Sequence, residues 1–560
     1  MYKAVDRQRS VLILAVLLFG GILLGIAFLD YVEQPVFSHD SGFYEGSFSL
    51  AISAFHAEEI YYTLDGSTPD ENSLKYTGPI RITDATQNEN TYSMRTDVSV
   101  GFYTDLLGQG EGPGYTAPDF PVDKCTVVRA IAVSPGGSVS EITSASYFVD
   151  VRPEDYHGCN ILSLITDPGS LFDSQTGIYV TGDAFDEYLE GGDLSASWWF
   201  WPANYRQRGK AWECPVTMEF FSRGGEALYR TDGGMRIHGG ASRAFLPRSV
   251  NLYADTGKAA SRGIDFPIFG DSYRPKAITL NSGGNQTITQ FPDYMMSQMA
   301  AELNFSQMQF EPYVLFLNGE YWGFYWLSEK YDEEYLAHHY QVRADDVVMI
   351  KNGEVEAGEY EDIGLYIDMQ SDICQNDMSD EENYQWACEM IDMDSCIDYY
   401  AALIYLARCG DWPSSNFALW RTRNVTDTDS CADGRWRWML FDCNSTCMRD
   451  IDYEGARLTE ADTLSYVLES DAVFASLWNS ESFRQAFTSR ILQLGQTCFS
   501  PDKIDAFIQD YMDTMAPVLE QSWARFYGSR NEKYAEFCAT MEQYRAFFEK
   551  RPAVVEGWFR

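Results

Sequence analysis

One uninterrupted apolar run, Val11 to Leu29, sets the gross layout of this chain. At about 1.5 Å rise per residue it reaches nearly across a hydrocarbon core about 30 Å thick. Lys3, Arg7 and Arg9 precede it, and Asp30, Glu33 and Asp40 follow. Positive flanks stay on the cytoplasmic side, so residues 1–10 are expected inside, 11–29 in the membrane and the rest outside. A cleavable leader would carry a shorter apolar stretch and an A-x-A-like site. LDYVEQPVF, which follows here, has no such site, and no second long apolar run appears. The expected product is a single-pass cell-membrane protein whose bulk is extracytoplasmic.

The chain is acidic: 83 Asp and Glu against 41 Lys and Arg give a formal net charge of −42 over 560 residues. No cationic surplus exists to neutralise nucleic-acid phosphates, so that partner is excluded. An aromatic content of 15% also separates the chain from acidic disordered tails. Any nucleotide would need local Arg or Lys, or a divalent cation, to overcome the field. Eight of the twelve cysteines lie between Cys374 and Cys498. Export permits disulfides there, with buried free thiols as the alternative. Cys443 and Cys447 are four apart, but no second Cys/His pair has zinc-finger spacing.

Residues 38–150 read as a small β-sandwich. SFSLAIS (47–53) alternates, EIYYTL (59–64) is strand-like, and DGSTPD supplies turn chemistry. PIRI, CTVVRAIAV and SASYFV add strands, with Pro135-Gly136-Gly137 as a turn. Residues 158–560 read as an α+β domain. ILSLITDP, GIYV (177–180), MEFFS (218–222) and the segment 233–254 are expected strands. PDYMMSQMAAEL (292–303) is an expected helix with Pro292 in its first turn. VLFLNGEYWGFYWLSE is an expected hairpin around Asn318-Gly319. SCIDYYAALIYLARCG (395–410) is an expected helix closed by Gly410. Ser500-Pro501-Asp502 opens a C-terminal helix whose stripe runs Ile504, Phe507, Ile508, Tyr511, Met512, Met515, Leu519.

The segment 409–447 carries chemistry. Asp411 follows a helix end, Asn416 comes five residues later, and FALWRTRN pairs with RWRWMLFD as a hairpin. Antiparallel pairing brings Asn416 and Asp442 to its open end, a short loop from Asp411. Phosphoryl transfer needs such a set: one carboxylate to take the hydroxyl proton, an amide and a second carboxylate to hold Mg²⁺. The same residues also suit a plain loop and strand end. Upstream, RIHGGASRAFLPRS (236–249) offers a Gly-rich turn with Arg243 and Arg248 as candidate phosphate contacts. Glu329 closes its strand where it could pair with one of these cations, and His238 is read as structural.

The first module, with its phrase YYTLDGSTP, resembles the fibronectin-III-like module at the C-terminus of chitobiases. The ordered set IHGGASRAFLPRSVNLYA, GIDFPIFGD, LNSGGNQT, FPDYMM, PYVLFLNGEYWGFYWLSEKYD, GDWPSSNFALWR and GRWRWMLFDCN resembles the spore coat protein H (CotH) kinase family. That resemblance implies an atypical protein-kinase-like domain that uses ATP with Mg²⁺ or Mn²⁺ to phosphorylate serines of secreted or surface proteins. It implies Asp411 as catalytic base, and Asn416 with Asp442 as the metal site. Three positions depart from the family pattern: Arg248 stands for Lys, Asn444 for Asp, and Phe291-Pro292 precedes Asp293 where Arg is common. A catalytically inactive surface or spore-coat assembly scaffold is the rival reading. Glycan contact through the β-sandwich is a third, although Phe43, Tyr44, Tyr61 and Tyr62 are expected mostly in its core.

Overall fold

Alternating apolar side chains and Gly/Pro turns make the first module a set of short strands. The computed structural model describes residues 31–560 apart from 102–103, 105–113, 193, 255–262, 271–272, 409–411, 444–445, 448–457 and 529. The expected anchor 11–29 lies outside the described residues, and no described helix is long and apolar enough to cross a membrane. The module's five-stranded sheet runs Gly42–Tyr44, Thr143–Val149, Thr126–Val133, Glu59–Thr63, Leu74–Lys75. SFSLAIS, expected as one strand, is two. Phe48–Leu50 pairs with Ile80–Ile82, whereas Ile52–Ser53 pairs with Val36–Phe37. Leu50, Ile52, Ile82, Val128 and Tyr147 form the core, and Phe43, Tyr44 and Tyr62 pack against core residues.

The next seven strands close a barrel in the order Asn160–Ile165, Cys214–Phe221, Ala227–Ile237, Val250–Ala254, Ala277–Asn281, Glu320–Ser328, Phe310–Leu317. The last strand pairs parallel with the first; the remaining pairs are antiparallel. GIYV is not a strand. Its backbone turns back, Ile178 donating to Ser170 O and Tyr179 to Leu171 O, while Ile178, Tyr179 and Val180 fill the core. The hairpin at Asn318-Gly319 forms as expected, with positive φ at both residues (47° and 88°), as a type I′ turn requires.

That hairpin also docks the first module. Gly319 O accepts from Cys125 N at 2.8 Å, and a Cβ at Gly319 would come within 2.5 Å of Cys125 O. Buried Glu320 accepts from the backbone N–H groups of Thr91, Tyr92 and Ser93. Phe148 meets Phe316 edge-on at 4.9 Å. Each large side chain buried this way contributes about 1.5–3 kcal/mol, so the contact is a packed interface as well as a polar one.

A second sheet, ordered Glu354–Ala357, Val347–Lys351, Ala418–Thr422, Arg437–Met439, leads into a helical lobe. Helix Met393–Tyr405 is capped by Asp392, whose side chain accepts from Ser395 N. It ends five residues before Gly410: Leu406 caps it and Ala407 turns left-handed (φ 50°). Helix Pro501–Tyr527 buries Ile504, Ile508, Tyr511, Met515 and Leu519, with Phe507 and Met512 at the margin, and closes on Gly528 (φ 66°). Helix Arg530–Gly557 packs along it. The eleven described cysteines are free thiols, most of them buried.

Candidate active site

The hairpin expected to carry the chemistry is present. Ala418 stands opposite Met439 and Trp420 opposite Arg437. Asn416 precedes the first strand by two residues and Asp442 follows the second by three, so both stand at the same open end. Both adopt left-handed backbone, φ 56° and 52°. Among non-glycine residues Asn and Asp tolerate that conformation best, and such outliers concentrate where a side chain must be aimed. Asp442 Oδ1 is buried without a hydrogen-bond partner among the described residues. A buried acceptor left unpaired is costly, and a bound cation would satisfy it. Asp411 lies outside the described residues, between Arg408 and Trp412.

A residue given no role from its spacing joins them. Asp293, in the first turn of helix Pro292–Met299, accepts the Cys443 N–H at 2.7 Å, one residue beyond Asp442. Asn281 also donates to its carboxyl. The carboxyl is enclosed, though its residue keeps some exposed surface. Burial, and then the Asp442 charge, raise its pKa to about 6. The Arg408 charge acts in the opposite direction. Arg408 is 1% exposed, and its Nη1 has no partner among the described residues. The available signal was an acid at the N-terminal turn of a helix, which commonly serves only the helix dipole.

The expected phosphate contacts are differently employed. Arg248 is fully buried: Nε donates to Arg243 O at 2.7 Å, Nη2 to Val98 O at 2.7 Å and Nη1 to Tyr179 O at 3.4 Å. Tyr205 lies under its guanidinium at 4.0 Å. Arg243 donates to Gly239 O and Gln207 O. Both guanidinium groups thus hold loops together through main-chain carbonyls. Glu329 pairs with His339 at 2.7 Å rather than with an arginine, and its other oxygen takes Gln309 N. The correction at the two arginines has one cause: enclosed carbonyls must be paired, and these arginines are the donors within reach.

Lys351 is a cation within electrostatic reach of Asp442. It ends strand Val347–Lys351, lies over the Phe441 ring at 4.0 Å, and feels the Asp442 charge. Lys330, Arg208 and Arg243 gather with it around His238, whose pKa is pushed down by burial and then by these charges. A strand-end lysine before Asn352-Gly353 was the only local hint. Beside Asn416, a groove of about 710 Å³ is lined by Tyr366, Tyr399, Trp412, Phe417, Trp438 and Asp471. Among the described residues no cluster of three or more His, Cys, Asp or Glu could hold a metal ion.

A barrel followed by a helical lobe, with an Asn/Asp hairpin end facing a cationic rim, is a kinase-like arrangement. The chain belongs to the CotH family: the model described as CotH kinase protein matches residues 235–555, more than half of it. The Fn3-associated model matches residues 50–147, upstream. Strands Asn160–Ile165 and Cys214–Phe221 complete the barrel before the matched segment begins. No curated protein matches the chain.

Proposed function

We propose that this chain is a membrane-anchored, extracytoplasmic protein kinase that transfers the γ-phosphoryl group of ATP to serine hydroxyls of secreted or surface proteins. The observation that carries the reading is Asp442: its unpaired buried oxygen stands at the hairpin end with Asn416, within the field of Lys351. Asn416 and Asp442 hold Mg²⁺ or Mn²⁺, which when bound neutralises phosphate charge. Lys351, with Lys330 and Arg208 nearby, faces the phosphates. Asp411 takes the proton of the serine hydroxyl as its oxygen bonds to the γ-phosphorus; the bond to the β–γ bridging oxygen breaks and ADP departs. Asp293 grips the Cys443 N–H and so fixes the loop that aims Asp442.

The groove beside Trp412 and Phe417 receives the acceptor segment. Residues 352–407, which supply much of its wall, hold fifteen Asp and Glu and no Lys or Arg. That charge favours an acceptor serine with basic neighbours.

The test incubates the full chain with γ-labelled ATP and Mg²⁺ or Mn²⁺, beside Asp411→Ala and Asp442→Ala. Acceptors are the chain itself and a serine-rich basic protein. Metal-dependent label that disappears in both variants is expected. Absence of label, together with no metal-dependent thermal shift from ATP, would overturn the enzyme reading in favour of a binding scaffold.

A further inference from the structure

A second cavity lies where three parts of the chain meet. Loop residues Phe120–Asp123 of the first module, Tyr321 of the barrel, and Gln521, Arg525 and Arg530 of the last two helices enclose about 240 Å³. Arg525 is 1% exposed, and its Nε is buried without a hydrogen-bond partner among the described residues. Its Nη1 donates to the Tyr115 hydroxyl at 3.3 Å, and the Trp322 and Phe526 rings flank it at 4.4 and 4.5 Å. The Tyr321 hydroxyl, on a residue 4% exposed, is likewise buried and unpaired. Arg530 lies at the exposed mouth over Phe120 at 5.8 Å. The charges of Arg525 and Arg530 both reach the Tyr321 hydroxyl. Among the described residues, the ion pairs of these two helices use Lys533, Arg545 and, just beyond the second helix, Arg560 instead.

A buried guanidinium without a counter-charge is costly, and a second arginine beside it adds repulsion. In a chain with twice as many acids as bases, this pair nevertheless makes no ion pair among the described residues. Asp123 lines the same cavity, but its Oδ2 accepts from the Tyr156 hydroxyl at 2.9 Å, and burial disfavours its charge. Two guanidinium groups and a phenol hydroxyl make a donor set suited to a tetrahedral oxyanion. The space of about 240 Å³ equals about eight water volumes of about 30 Å³, room for a phosphate group together with several waters.

We propose that this junction is a binding site for a phosphate-class dianion, either free inorganic phosphate or the phosphoryl group of a phosphorylated side chain. Bound there, the anion ties the first module to the barrel and to both C-terminal helices. The site shares no residue with the Asn416/Asp442 hairpin, so it stands or falls apart from the kinase reading.

The experiment follows thermal unfolding of the full chain against inorganic phosphate, with chloride at matched ionic strength as the reference. Wild type is compared with Tyr321→Phe, Arg530→Gln and Lys351→Met. A saturable phosphate-dependent rise in Tm is expected for wild type and Lys351→Met, with apparent affinity at least tenfold weaker in the other two. A phosphoserine peptide run in parallel, and in competition, separates the two sources; either one acting through Tyr321 and Arg530 supports the site. Tyr321→Phe removes only an unpaired hydroxyl, so its unliganded Tm should be no lower than wild type. No saturable shift with either probe would overturn the proposal. So would a shift unchanged in Tyr321→Phe and Arg530→Gln, or one lost in Lys351→Met.

Discussion

The barrel and the helical lobe treat charge in opposite ways. Residues 201–250, which supply much of the barrel wall, carry eight Lys and Arg against four Asp and Glu. Residues 352–407 carry fifteen acids and no Lys or Arg. Yet the basic region does not simply offer its cations outward. Arg248 and Arg243 spend theirs on carbonyls, and Arg236 and Lys210 pair with Glu213. Lys351 and Lys330 lie beyond the basic run in sequence and still reach the rim around His238. The contrast teaches that local charge density identifies a partner's sign, while burial decides which individual cations can meet it.

Four results would sharpen or break that contrast. The largest concerns Arg248→Met, which leaves three carbonyls without their donor. It should cost about 3 kcal/mol or more in chemical denaturation, whereas exposed Arg208→Ala should cost almost nothing; equal effects would mean that Arg248 is not structural. Next, Lys351→Met should lower kcat/KM for ATP on the order of 10²-fold with little change in Tm, as loss of a preorganised charge partner does. An unchanged rate would move the phosphates elsewhere.

The third is a pH effect. Asp293 has its folded pKa raised to about 6, so the folded state holds that proton more tightly than the unfolded chain. Its contribution is fully present below about pH 4 and is lost as pH rises towards 6. In metal-free protein this is worth roughly 2–3 kcal/mol, and the slope should vanish in Asp293→Asn. A slope of the opposite sign would refute the assignment. The smallest effect is on acceptor choice. A serine peptide flanked by Lys should outperform one flanked by Asp by about tenfold at low salt. The advantage should collapse in 1 M salt, where the screening length is about 3 Å.

Legibility followed the range of the interaction. The Asn318-Gly319 hairpin, the Pro501 helix start and the 418–422/437–439 pairing were readable because each is set by neighbours within a few residues. GIYV failed because its apolar residues serve a buried turn rather than a ladder, and periodicity cannot distinguish the two. Gly410 failed as a helix end because Ala407 takes the left-handed position first. Asp293 went without a role because its partner, the Cys443 N–H, is 150 positions away. Arg248 was misplaced for the same reason: its carbonyl partner Val98 belongs to the first module.

The sequence by itself determined the module order, the β character of the first module and the mixed α+β character of the second, the acidic balance, and the pairing that puts Asn416 and Asp442 at one hairpin end. Hydrophobic period, turn residues and composition are local properties, so they survive without knowledge of the fold. Tertiary structure alone decided which polar groups are enclosed. Enclosure turns Arg243 and Arg248 into internal donors, sets Lys351 within the field of Asp442, raises the Asp293 pKa, and leaves the Arg525 Nε and the Tyr321 hydroxyl at one cavity without partners among the described residues. Those outcomes depend on low-dielectric surroundings built from distant segments, and they arise only once the barrel has closed and the helices have packed against it.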